Sequence, residues 1–86
     1  MPSYLIEGYL PRSRASELAD AAVRLRRAVD ALAAEGVQVR HVRSSFIPSD
    51  ELFLHVLEAE SAEAAGDATR RAGIAPERMT TEEVAP

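Results

Sequence analysis

Hydrophobic patterning divides this chain of 86 residues into strand, helix, strand, strand, helix and strand, in that order. Two βαβ halves of this kind fold into one antiparallel sheet of four strands with both helices on the same face. The order therefore predicts an α+β, ferredoxin-like βαββαβ fold. A chain of this length forms a single domain, which we expect to span residues 1–86.

The predicted strands differ in which faces are apolar. Strands over residues 3–10 and 52–58 are apolar on both faces, although two helices cover only one side of the sheet. In the strand over residues 37–47 the apolar face switches midway, which indicates a bulge. The last strand, residues 79–84, is polar and suits a sheet edge.

Two helices are predicted from periodicity and from their end signals. The first begins at Ser13 or Ser16 and runs to residue 35, with Asp20 and Arg24 placed to pair on its solvent side. The second begins after Ser61 as its N-cap and runs to residue 72. The apolar stripe of the first helix repeats at steps of four and three and consists of Leu18, Ala22, Leu25, Val29 and Leu32.

Charge and composition limit the kinds of molecule that this protein is expected to bind. The net charge of −4 is spread along the chain, so nucleic acid is not an expected partner. The chain contains no cysteine, which excludes disulfides, thiolate metal sites and cysteine nucleophiles. No signal peptide and no run of apolar residues long enough for a bilayer occur, so we expect a cytoplasmic protein without a membrane partner.

The bare sheet face predicts self-association. A domain of this size buries only about 60% of the surface that its unfolded chain exposes, so its stability margin is thin. A homodimer formed through the sheet face would cover the apolar residues that the helices leave exposed.

Four short motifs spread over nearly the whole chain carry a family resemblance. They are Met1-Pro2-x-Tyr4-Leu5-Ile6-Glu7, Glu35-Gly36-Val37-x-Val39 with Val42-Arg43-Ser44, Leu57-Glu58-Ala59, and Arg71-Ala72-Gly73-Ile74-x-Pro76-Glu77-Arg78. Together they resemble the small bacterial DUF4242 family, which includes proteins described as nickel-binding. The resemblance implies a ferredoxin-like fold paired as a dimeric α/β barrel. It implies little about activity, because most of that family has no assigned function.

Glu7, His41 and His55 are the candidate chemical site. In the ferredoxin-like order their three strands are neighbours, so the side chains line one patch if they share a face. Two imidazoles and a carboxylate suit a divalent metal such as nickel, and they equally suit general acid–base chemistry. A more common role for such residues within strands is a hydrogen-bonded polar group at an interface. The sequence does not fix the strand register, which decides whether the three side chains share a face.

Tyr4, Tyr9 and Arg43 are candidate pocket residues. The tyrosines could orient a substrate and Arg43 could bind an anion, although strand tyrosines usually pack across strands and strand arginines are usually solvated.

Three functions follow as alternatives. The first, favoured by the resemblance and by two histidines on strands, is a small dimeric binding protein for a divalent metal, with His41, His55 and Glu7 as ligands. The second is a cofactor-independent dimeric α/β-barrel enzyme that acts on a hydrophobic metabolite. Its catalytic residues would be His55, which interrupts the most apolar strand, and Glu7, which would hold the tautomer of the ring. The third is an interaction module without chemistry.

Overall fold

The computed structural model describes residues 1–83 and residue 85 and contains the predicted elements in the predicted order. They are β1 (Ser3–Tyr9), a 3₁₀ turn (Arg12–Arg14), α1 (Glu17–Ala34), β2 (Val39–Ile47), β3 (Leu52–Ala59), α2 (Ala62–Arg71) and β4 (Arg78–Glu82). The strands form one antiparallel sheet in the order β2-β3-β1-β4. This confirms the ferredoxin-like α+β fold. Val84, the predicted end of the last strand, lies outside the described residues.

Strand register divides the sheet into two faces. One face packs against the helices and is called the covered face; its residues on β1 and β3 are Tyr4, Ile6, Gly8, Phe53, His55, Leu57 and Ala59. The other is called the open face; its residues on the same strands include Leu5, Glu7, Leu54, Val56 and Glu58.

The first helix packs through the predicted stripe. Ala22, Leu25, Val29 and Leu32 are buried, which confirms the periodicity, whereas Leu18 is only partly buried near the start of the helix. The helix begins after Ser16, but the Ser16 hydroxyl makes no capping hydrogen bond. Among the described residues, neither helix has the length and apolar character needed to cross a bilayer.

The second helix is short and rich in alanine on its inner side. Ser61 caps it as predicted, because its hydroxyl accepts a hydrogen bond of 3.1 Å from the backbone N–H of Ala64. Gly73 follows the helix with a φ of 70°, a conformation that glycine adopts without strain. The residues that pack inward are small, namely Ala64, Ala65, Ala68 and Thr69.

The predicted bulge in β2 lies between His41 and Arg43. His41 stands opposite Leu57, and Ser44, three residues later, stands opposite His55. In a regular strand two residues three apart would point to opposite faces, because successive side chains alternate. The extra residue, Val42, therefore puts His41 and Ser44 on the same face of the sheet as His55.

Candidate functional site

One serine hydroxyl joins the two histidines of the chain. Ser44 Oγ lies 2.8 Å from His41 Nε2 and 2.6 Å from His55 Nδ1. The Ser44 hydroxyl has one proton, so it donates one of these hydrogen bonds and accepts the other. We call this arrangement the His41–Ser44–His55 chain. It joins β2 to β3 on the covered face of the sheet.

His55 is the buried end of the His41–Ser44–His55 chain. Only 1% of its surface is exposed, and its ring centroid lies 5.3 Å from that of Phe53 with the planes tilted by 47°. Gly8 makes room for the Phe53 ring, because a Cβ at Gly8 would lie 2.3 Å from a ring carbon. The glycine on β1 therefore fixes the aromatic neighbour of His55.

Both histidines are held in the neutral form at pH 7. Burial, with smaller contributions from the charges of His41 and Arg24, lowers the pKa of His55 to about 4. Burial and the nearby Arg26 guanidinium also lower the pKa of His41, partly opposed by a backbone hydrogen bond to Arg43. Neutral imidazole carries one donor and one acceptor nitrogen, so each ring can pass a proton along a hydrogen-bonded chain.

A cleft of about 200 Å³ opens beside His55, between the start of α1, the sheet and the segment after α2. We call it the inner cleft. No buried side-chain nitrogen or oxygen in the described part of the chain lacks a partner. Ser44 occupies Nδ1 of His55, and Nε2 has no partner among the described residues but is not a fully buried atom, so Nε2 is the nitrogen with access to the cleft that His55 lines. The apolar walls are Leu10, Leu18, Phe53 and Ile74, and the charged lining residues are Arg14, Glu17 and Arg24.

His41, at the other end of the His41–Ser44–His55 chain, lies at a different surface of the protein. His41 and Ser44 line a groove of about 570 Å³ together with Ala19 and Arg26 of α1. We call it the outer groove. The His41–Ser44–His55 chain therefore connects the inner cleft with the outer groove through hydrogen bonds alone.

The structure separates Glu7 from the histidines, so the condition that the sequence left open, a face shared by all three, is not met. Ile6, not Glu7, stands opposite His55, and the alternation of the strand turns Glu7 to the open face opposite Leu54. Glu7 Oε2 there accepts a hydrogen bond of 3.1 Å from Arg78. Within residues 1–83 and 85, no three His, Asp or Glu side chains form a group that could hold a metal ion.

The three predicted pocket residues lie in three different places. Tyr4 is buried in the main core, Tyr9 lines the inner cleft and Arg43 lines the outer groove. Sequence reasoning gave Ser44 no role in the site and named it only within a motif. The signal that could have found it was the bulge, which moves Ser44 to the face of the histidines.

Comparisons with protein-family models, curated proteins and solved structures found no match for this chain. The resemblance to the DUF4242 family therefore stays a prediction from the sequence motifs.

Proposed function

We propose that this protein binds a small, mainly apolar metabolite in the inner cleft and that His55 exchanges a proton with it, without a cofactor. The observation that carries the proposal is a neutral, almost fully buried imidazole beside a cleft that has both apolar and charged walls. Burying a polar ring costs free energy unless the ring is hydrogen-bonded, and Ser44 satisfies only one of its two nitrogens. The second nitrogen, Nε2, has no partner within residues 1–83 and 85 and is available to a ligand.

The Ser44 hydroxyl sets what His55 offers to that ligand. When the hydroxyl donates to His41, His55 donates its Nδ1–H to Ser44 and Nε2 is a free acceptor, which is the form of a general base. When the hydroxyl turns to donate to His55 Nδ1, Nε2 carries the proton and acts as a donor. The two forms differ in the tautomers of both rings as well as in the direction of the hydroxyl, so converting the first into the second takes up a proton at His55 Nε2 and releases one from His41 Nδ1.

Two variants on α1 test where ligands bind. Ala21 lines the inner cleft and Ala19 lines the outer groove, so Ala21→Phe fills the first site and Ala19→Phe the second. In saturation-transfer NMR with a library of small aromatic and aliphatic metabolites, we expect binders to the wild type and to Ala19→Phe that Ala21→Phe no longer binds. Binders retained by Ala21→Phe would place the ligand elsewhere.

The proton step has its own test. For a binder with a C–H bond beside a carbonyl, Nε2 would remove the proton, and solvent would return a deuteron in D₂O. We expect the proton signal of the ligand to disappear faster with the wild type than with His55→Gln, which keeps a polar group but cannot act as a base of this kind. Equal exchange by both proteins would reduce the role of His55 to binding.

A divalent metal such as nickel is the second candidate ligand, because the imidazoles of His41 and His55 lie on opposite sides of the Ser44 hydroxyl. The arrangement lacks the carboxylate that Glu7 would have supplied. If the protein binds a metal at this site, calorimetry with nickel chloride should detect binding to the wild type and weaker binding to both His41→Ala and His55→Ala. Equal binding by all three proteins, or none by the wild type, would exclude this site.

We also propose a homodimer formed through the open face. The apolar residues Leu5, Leu52 and Leu54 on this face are only partly buried, although Val56 among them is already buried at 3% exposed. An apolar strip of this kind without a covering layer favours association. Light scattering at micromolar concentration should give twice the chain mass, and a soluble monomer would contradict the proposal.

A further inference from the structure

We infer that the inner cleft takes a small monocarboxylate, whose apolar body lies against the walls of the cleft and whose carboxylate binds the guanidinium of Arg24. The inference rests on the proposed function, because it assumes that the inner cleft is the ligand site. It adds the charge and size of the ligand and a residue that anchors it.

The backbone of the protein positions Arg24 at the cleft. Arg24 Nε donates a hydrogen bond of 2.9 Å to the carbonyl oxygen of Ala72, which joins α1 to the end of α2. None of the ion pairs among the described residues includes Arg24. The Nη atoms are therefore not engaged by a carboxylate of that part of the chain. A planar guanidinium with Nε occupied still offers two parallel N–H groups, which match the two oxygens of a carboxylate.

The other charges of the cleft cancel. Arg14 donates two hydrogen bonds, of 2.6 and 2.8 Å, to the two carboxylate oxygens of Glu17. His55 is neutral at pH 7, so Arg24 alone sets the net charge of the lining at +1. The whole chain carries −4, which makes the inner cleft a local positive site on an acidic protein.

Size and charge together select the ligand class. The inner cleft measures about 200 Å³, and an engineered apolar cavity of about 150 Å³ in another protein holds a benzene ring. A ring or short branched chain with one carboxylate therefore fits. A phosphate monoester would bring nearly two negative charges to a single guanidinium, so a monocarboxylate is the better match.

Phenylacetate and phenylacetamide test this inference, because they have the same shape and differ in charge. Their affinities for ¹⁵N-labelled protein at pH 7 are measured by NMR titration. We expect the wild type to bind phenylacetate at least about tenfold more tightly than the amide, as a charge-assisted hydrogen-bonded pair would give. Arg24→Gln should remove this preference. Arg27→Gln, an exposed neighbour on α1 that does not line the cleft, should keep it.

Two results would overturn the inference in different ways. Equal affinities for the two probes, unchanged in Arg24→Gln, would leave the inner cleft as a ligand site without a preference for anions. If neither probe shifts the signals of His55 and Phe53, the inference fails together with the proposed site. The NMR spectrum of each variant without ligand confirms that it is folded, so lost binding cannot be mistaken for unfolding.

Discussion

The two faces of the sheet differ in where their polar and apolar side chains lie. On the covered face, a histidine is buried among apolar residues and is tied to a serine and a second histidine. On the open face, apolar side chains at the centre lie between two ion pairs, Arg40–Glu58 and Arg78–Glu7. A buried polar group needs partners to be tolerated, and an uncovered apolar group gains from being covered. The covered face is therefore where we expect ligand chemistry, and the open face is where we expect association.

The largest expected loss of stability comes from the core of the covered face. Leu25 on α1 is 0% exposed, so Leu25→Ala should lower the free energy of unfolding by about 2–5 kcal/mol. Val23 on the same helix is 39% exposed, and Val23→Ala should change it by less than about 0.5 kcal/mol. Urea denaturation measures both variants. A loss below about 1 kcal/mol for Leu25→Ala would show that α1 does not pack through this stripe.

The second effect is a loss of stability in acid that depends on His55. The pKa of His55 is about 4 in the folded protein and near its ordinary value of 6.5 in the unfolded chain. Between pH 6.5 and 4 the His55 imidazole is protonated in the unfolded chain but neutral in the folded protein. The contribution of His55 to the free energy of unfolding is therefore fully present above pH 6.5 and is lost as the pH falls from 6.5 to 4. The loss reaches about 3 kcal/mol. His41 acts in the same direction, because its pKa is also lowered.

His55→Leu isolates this contribution. Denaturation of both proteins from pH 7.5 to 4 should show a shallower loss in the variant than in the wild type, and parallel curves would contradict the low pKa. At pH 7 the variant also separates two roles for the ring. Stability near or above that of the wild type is expected for a functional histidine, whereas a loss of about 1–3 kcal/mol would indicate a structural hydrogen bond.

A smaller effect is expected where β1 passes under the aromatic neighbour of His55. Gly8→Ala places a methyl group 2.3 Å from the Phe53 ring, so the ring must move and stability should fall by about 1–3 kcal/mol. Gly66→Ala on α2 is the matched control. Its methyl group would meet only the end of the Arg70 side chain at 3.3 Å, so the variant should be up to about 1 kcal/mol more stable. Thermal unfolding distinguishes the two, and a stabilised Gly8→Ala variant would contradict the packing.

The smallest expected effect on the fold of a single chain comes from the open face. Leu54→Arg puts a charge in the apolar strip, and it should leave the circular dichroism spectrum unchanged while halving the mass measured by light scattering. Val23→Arg adds the same charge on an exposed position of α1 and should keep the mass of the wild type. If Leu54→Arg keeps the mass of the wild type too, the open face is not the contact between chains.

The sequence predicted the elements better than it predicted the contacts between them. Periodicity found the buried stripe of α1, the end signals found Ser61, and the change of apolar face found the bulge in β2. The sequence left the face of Glu7 open, because pairing between strands distant in the chain depends on register, and a shift of one residue reverses every side chain. Local reasoning failed for Arg24. It was expected to pair with Asp20 one turn away, but it donates to Ala72, 48 residues further along.

Loss of the bulge in β2, with every residue kept, would change the chemistry of the site without replacing a single functional side chain. If β2 paired with β3 without the bulge, the alternation would put Arg43 opposite His55 in place of Ser44. A permanent cation would then stand beside the imidazole where a hydroxyl now bridges two rings, and the proton path would be broken. Two chains with the same histidines and the same serine would thus differ in function through the pairing of one strand. A chain without the bulge would keep the bridging hydroxyl only if its serine followed the first histidine by two residues, because residues two apart in a regular strand share a face.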